Sequence, residues 1–183
     1  MNIIKKRDKR TIVRLMKKRQ YDEVVDLSAS TDMWVPLLDE GAVIDAYGEV
    51  DFFIMRGVLR QFYDDLPSDQ VGIIKMGHLD FTSQFPIVLG EWSKADLRLV
   101  DIGNGRESLE VNVKLNTDLN IVQDLLKMPY TLGISAEISR RFNEQWSEKL
   151  HVPVVEGIWM ENFGIVGDPG NVRSQLDLRG GNA

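Results

Sequence analysis

Three residues of this 183-residue chain have types and surroundings suited to acyl transfer: the hydroxyl of Ser135, the imidazole of His78 and the carboxylate of Glu161. Ser135 stands in Thr131-Leu132-Gly133-Ile134-Ser135-Ala136-Glu137-Ile138. Read as a strand, this segment turns Leu132, Ile134, Ala136 and Ile138 to the core and Ser135 to the opposite face, with Gly133 and Glu137. Glycine inside a strand often marks close approach of a ligand or another backbone, so Gly133 leaves room beside the hydroxyl. A solvated strand serine would show the same spacing. His78 lies in Ile74-Lys75-Met76-Gly77-His78-Leu79-Asp80, where period 2 aligns it with Ile74, Met76 and Asp80. A partly buried neutral imidazole is the form a general base needs near pH 7. The other histidine is His151.

Glu161 sits in Trp159-Met160-Glu161-Asn162-Phe163-Gly164-Ile165. As a strand, this would point Glu161 the same way as Trp159, Phe163 and Ile165. Burying a carboxylate there is costly unless it is paired, and a histidine ring N–H is a suitable partner. A local register change would instead turn Glu161 outward. A hydroxyl, an imidazole and a carboxylate on three separated strands are the parts of acyl-transfer chemistry, which is recognised by geometry and roles.

Composition narrows the alternatives. The chain has no cysteine, which excludes disulfides, thiolate zinc sites, iron–sulfur clusters and cysteine nucleophiles. Two histidines are too few for a dedicated metal site, so no metal and no organic cofactor is expected. No apolar run of about 18 residues is present, and Arg14 interrupts Thr11 to Met16 where a signal peptide would carry its apolar region. The expectation is a cytoplasmic protein that neither spans a membrane nor is secreted. The net charge of −6 divides unevenly: residues 1–19 hold nine Lys or Arg against one Asp, leaving 13 basic and 27 acidic residues in the remainder. An acidic body argues against specific nucleic-acid binding. The basic arm suits nucleic acid, an acidic protein surface or the chain's own acidic body, or is simply a solvated helix face.

The elements that must position these groups follow from periodicity. Lys5 to Leu27 reads as a helix, as does Phe52 to Leu66, with Met55, Val58, Leu59, Phe62 and Leu66 on one side and Pro67 as its stop. Leu109 to Leu115 alternates as a half-buried strand, and Val71 to Asp80 and Leu97 to Val100 read as further strands. Gly103-Asn104-Gly105 supplies a hairpin turn. Asn116-Thr117-Asp118 caps a short helix carrying Leu119, Val122, Leu125 and Leu126. Ser139 is expected to cap another helix, with Phe142, Trp146 and Leu150 at i, i+4 and i+8. Ile158 to Val166 is an apolar run of strand length. The expected organisation is a helical arm at 1–30, one domain at 31–175, and a flexible tail at 176–183.

Four blocks of this pattern resemble the prohead (capsid maturation) serine proteases of tailed phages, whose fold is similar to that of herpesvirus assemblins. They are Phe53-Ile54-Met55-Arg56-Gly57-Val58-Leu59; Gly77-His78-Leu79-Asp80 with Phe85-Pro86-Ile87-Val88-Leu89-Gly90; Leu132-Gly133-Ile134-Ser135; and Trp159 to Val166, running on to Asp168-Pro169-Gly170-Asn171. The resemblance implies an α+β fold, a mainly antiparallel closed β-barrel surrounded by helices. It places the nucleophile at Ser135 and the general base at His78. The third member varies in that family between carboxylate and histidine, which here means Glu161 or His151. Phe163 stands where a serine is usual, and two extra residues separate Pro86 from Gly90. By resemblance the protein is a serine endopeptidase that cleaves scaffold and major capsid protein segments and itself. It would act as a homo-oligomer inside the assembling prohead, in host cytoplasm. The competing expectations are an inactive structural protein of the same fold and an unrelated phage β-barrel binding module.

Overall fold

The computed structural model describes residues 25–26, 34–45, 49–77, 86–127, 132–167 and 175–177. The first strands are β1 (Val25–Asp26), β2 (Trp34–Asp39), β3 (Gly41–Ile44) and β4 (Val50–Ile54), followed by helix α1 (Val58–Asp65). Strands β5 (Val71–Met76) and β6 (Val88–Ser93) lead through a 3₁₀ turn, Lys94–Asp96, to β7 (Leu97–Asp101), β8 (Glu107–Asn112) and helix α2 (Asn120–Leu126). The rest is strand: β9 (Leu132–Phe142), β10 (Gln145–Ser147), β11 (Val152–Val155), β12 (Gly157–Val166) and β13 (Gln175–Asp177).

These strands form three open sheets, ordered β1-β13-β9-β12-β5-β6, β10-β11-β4-β3 and β2-β8-β7. The closed barrel surrounded by helices is therefore corrected. Closure requires the outer strands of one sheet to pair. Here β1 is two residues long and pairs only β13, while the outer side of β6 meets a single bridge, Gly90 to Leu115. The described residues are mostly strand, with two α-helices among them.

Two helical expectations also give way, each for a local reason. Phe52 to Ile54 belongs to β4, held between β3 and β11, and the helix starts only after a turn at Arg56 and Gly57, the latter with a φ of +82°. From there Val58, Leu59 and Phe62 are buried as expected, and Phe62 meets the Trp159 ring edge-on at 5.9 Å. Ser139 to Phe142 continues β9, because Arg140 and Arg141 pair with Trp159 and Ile158 of β12. A turn at Asn143, φ +52°, then leads into β10. Phe142, Trp146 and Leu150 are consequently exposed instead of forming one buried helix face. At the ends, Val25 and Asp26 are strand where a helix was expected, and Leu176 and Asp177, allotted to the tail, pair in the sheet. Residues 1–24 of the basic arm lie outside the described residues.

The strand expected at Leu109 to Leu115 forms as β8 only as far as Asn112, and it is covered on both faces. It is the central strand between β2 and β7, and its polar positions Ser108, Glu110 and Asn112 are buried along with Leu109 and Val111. Glu110 accepts two hydrogen bonds from Arg98, at 2.8 and 2.6 Å, and the Arg98 guanidinium lies 4.4 Å from the Trp34 ring centroid. Paired charge and a cation–π contact make that burial tolerable.

Buried Asp96 staples the 3₁₀ turn. It accepts from the Ser93 N–H at 2.9 Å and the Ser93 hydroxyl at 2.8 Å, and from the Lys114 ammonium. Desolvation pushes its pKa up, but the hydrogen bonds from Lys114 and Ser93 outweigh it and hold the carboxyl below its ordinary value. A depressed native pKa contributes stability that is present above the unfolded value, about 3.9, and lost as pH falls through the native one. Asp96→Asn is therefore expected to cost about 1–3 kcal/mol at pH 7. The gap from wild type should close as pH drops below about 4 in denaturant titrations. A gap independent of pH would remove the charge from this account.

Candidate functional site

Strands β9, β12 and β5 are consecutive neighbours in the six-stranded sheet. They bring together the serine block, the Glu161 block and the strand that leads to His78. The register is antiparallel between β9 and β12 and parallel between β12 and β5, so Ser135 lies opposite Gly164, and Gly164 beside Lys75. On the other side of the sheet, Ile134, Phe163 and Ile74 are fully buried in the core. Ser135 is half-buried on the face away from that core, as its alternation requires. Its row contains no side chain at Gly164, and Gly133 lies two residues along the same face.

Lys75 also belongs to this face. Its Nζ lies 2.6 Å from Glu137 Oε2, and Glu137 is two residues from Ser135 on β9. Glu137 was expected beside Ser135, but Lys75 carried no role in the sequence reading. The signal was present: a lysine embedded in the apolar strand Val71-Gly72-Ile73-Ile74-Lys75-Met76 has to find a counter-charge or leave the core.

His78 and Asp80 lie outside the described residues. The chain is placed up to Gly77, whose N–H donates to the Ile165 carbonyl at 2.8 Å. Gly77 has a φ of +68°, so the strand alternation that aligned His78 with Ile74 and Met76 stops one residue before it. Ile165 pairs with Ile134, next to Ser135. Two inter-strand spacings of about 4.8 Å therefore separate Gly77 from the Gly133–Ile134 backbone.

Glu161 departs from its expected surroundings. Met160 pairs with Ile138 and Asn162 with Glu137, leaving Glu161 as the extra residue of a β-bulge. The bulge reverses the alternation: Ile158 and Met160 are buried before it, Phe163 and Ile165 after it. Glu161 is thereby exposed, where it accepts a hydrogen bond from the Trp159 indole N–H at 3.3 Å. Its backbone carbonyl packs against Gly72, at the opposite end of β5 from Gly77. Five residues of strand amount to about 16 Å. The burial that motivated a bond from Glu161 to His78 is absent. His151, the other candidate, is exposed with φ +56° in the turn between β10 and β11, on a different sheet.

Among the described residues no group of three His, Asp or Glu side chains is arranged to hold a metal ion, and no helix is long and apolar enough to cross a membrane. Comparison of the chain with family models, with curated proteins and with solved structures finds no match.

Proposed function

We propose that this protein is a serine endopeptidase of the tailed-phage prohead maturation type, with Ser135 as nucleophile and His78 as general base. The observation that carries the reading is the contiguity of β9, β12 and β5. The serine block and the Glu161 block, far apart in the chain, meet on neighbouring strands, and the next strand, β5, ends at Met76, two residues before His78; Ser135 is on the face away from the core, opposite a glycine. A nucleophilic hydroxyl needs an approach for a peptide carbonyl, and Ser135 is only half-buried. In the reaction, His78 takes the Ser135 proton as the oxygen attacks the carbonyl carbon, then returns it to the leaving amine. No third member is assigned, because Glu161 and His151 both lie away from this face. Scaffold and capsid protein segments are the proposed substrates, cut by a homo-oligomer inside the assembling shell in host cytoplasm. No cofactor is required by this chemistry.

Incubation of the full chain with a fluorophosphonate, followed by peptide mapping, is expected to place the adduct on Ser135. His78→Ala should lower the labelling rate by about 100-fold or more. Co-expression with the neighbouring capsid genes should yield cleaved products. The displacement of both third-member candidates favours, as a second reading, a non-catalytic structural protein. An unlabelled Ser135 in folded protein, with uncut capsid proteins, would establish that alternative.

A further inference from the structure

Lysine is among the residues least often fully buried, yet Lys75 is 1% exposed, one residue before the end of β5. Its arm runs from β5 to Glu137 on β9, so it crosses β12 in the row where Gly164 has no side chain. Replacing a buried ion pair by apolar residues is often neutral or stabilising, so stability alone does not account for this one. We propose that Lys75 is a charge-setting, positioning residue for Ser135. Its ammonium, anchored by Glu137, holds positive potential on the sheet face where the carbonyl oxygen gains negative charge. This rests on the reading of Ser135 as nucleophile.

The two charges of the pair do not cancel at Ser135. Glu137 is 20% exposed against 1% for Lys75, so water screens the carboxylate more strongly than the ammonium. Positions two apart on a strand are about 7 Å from one another, which puts an ammonium beside Glu137 within about 8–10 Å of the hydroxyl. In the acylation step an electron pair of Ser135 Oγ forms the new C–O bond, its proton passes to the base, and the carbonyl π pair moves onto oxygen. Lys75 exchanges no proton. It acts by its field on the forming oxyanion and on the base.

The test is the rate of fluorophosphonate labelling of Ser135 in the full chain, measured across pH. A unit charge at about 8 Å in an effective dielectric of about 20 is equivalent to about 30-fold in rate. Lys75→Met should therefore slow labelling by about 10- to 30-fold and move the acid limb of the pH profile upward. Glu137→Gln should speed labelling a few-fold and move that limb downward. The Lys75→Met, Glu137→Gln double variant leaves no unpaired buried charge and decides the matter if Lys75→Met alone does not fold. It should be slower than wild type. Wild-type rates in the double variant, or a Glu137→Gln variant as slow as Lys75→Met, would reduce the pair to a structural role and overturn the proposal while leaving Ser135 as nucleophile. Failure of the wild-type chain itself to label at Ser135 would remove the nucleophile, and the role of Lys75 with it.

Discussion

Ser135→Ala is expected to abolish peptide hydrolysis and self-processing, with a loss on the order of 10⁴-fold or more, while the protein still folds. The size follows from the proposed role. Without the hydroxyl no acyl-enzyme forms, and what remains is only the contribution of binding and of charge on the sheet face. The fold should survive because Ser135 is half-buried on the side of β9 away from the core, and truncation to alanine opens no cavity beneath it. The core side of the same strand is held by Ile134, which is fully buried. Cleavage of a scaffold segment read on a gel, alongside the circular dichroism spectrum, measures both halves. Processing retained by a folded Ser135→Ala protein would sink the proposed function.

Gly72→Ala is expected to destabilise the protein severely. A Cβ at Gly72 would come within 2.2 Å of Trp92 Nε1 and 2.3 Å of the Glu161 carbonyl oxygen. Neither neighbour can yield readily. Trp92 is fully buried and stacked on Phe163 with ring centroids 4.6 Å apart, and the Glu161 carbonyl belongs to the backbone of β12. Overpacking of this kind, with backbone on one side, should cost about 3–5 kcal/mol. For a chain of this size that lowers Tm by about 10–15 °C. Adding Trp92→Phe should relieve only the side-chain part, so rescue should be partial. A Gly72→Ala protein with unaltered Tm would show that β5 and β12 do not approach as described.

Much of the local structure follows from short-range pattern. The alternation of residues 131–138 places Ser135 on the face away from the core, because a strand's period of two is set by its own backbone. The α2 helix follows from apolar spacing over Leu119 to Leu125. Where two local patterns compete, the sequence leaves the outcome open. Phe142, Trp146 and Leu150 have helical spacing, but Phe142 pairs with Gly157 of β12 and Trp146 with Pro153 of β11, and the ladders prevail because they satisfy the backbone without a buried apolar face. Glu161 is the same lesson in one residue. Strict alternation buries it, whereas a single-residue bulge reverses the parity of β12 and turns it to solvent, and a bulge is decided by the partner strand.

By itself, then, the sequence determined the β-rich middle of the chain, the absence of cysteine chemistry, the face on which Ser135 stands with Glu137, and the turn at Gly103-Asn104-Gly105. Only the tertiary structure decided that β9, β12 and β5 are neighbours, that the sheets stay open, and that Lys75 reaches across Gly164 to Glu137. The physical reason is one of range. Face and turn depend on residues two to four positions apart, whereas strand order, sheet closure and the pairing of a buried lysine depend on partners about 30 to 90 residues away, whose selection comes from the packing of the whole core.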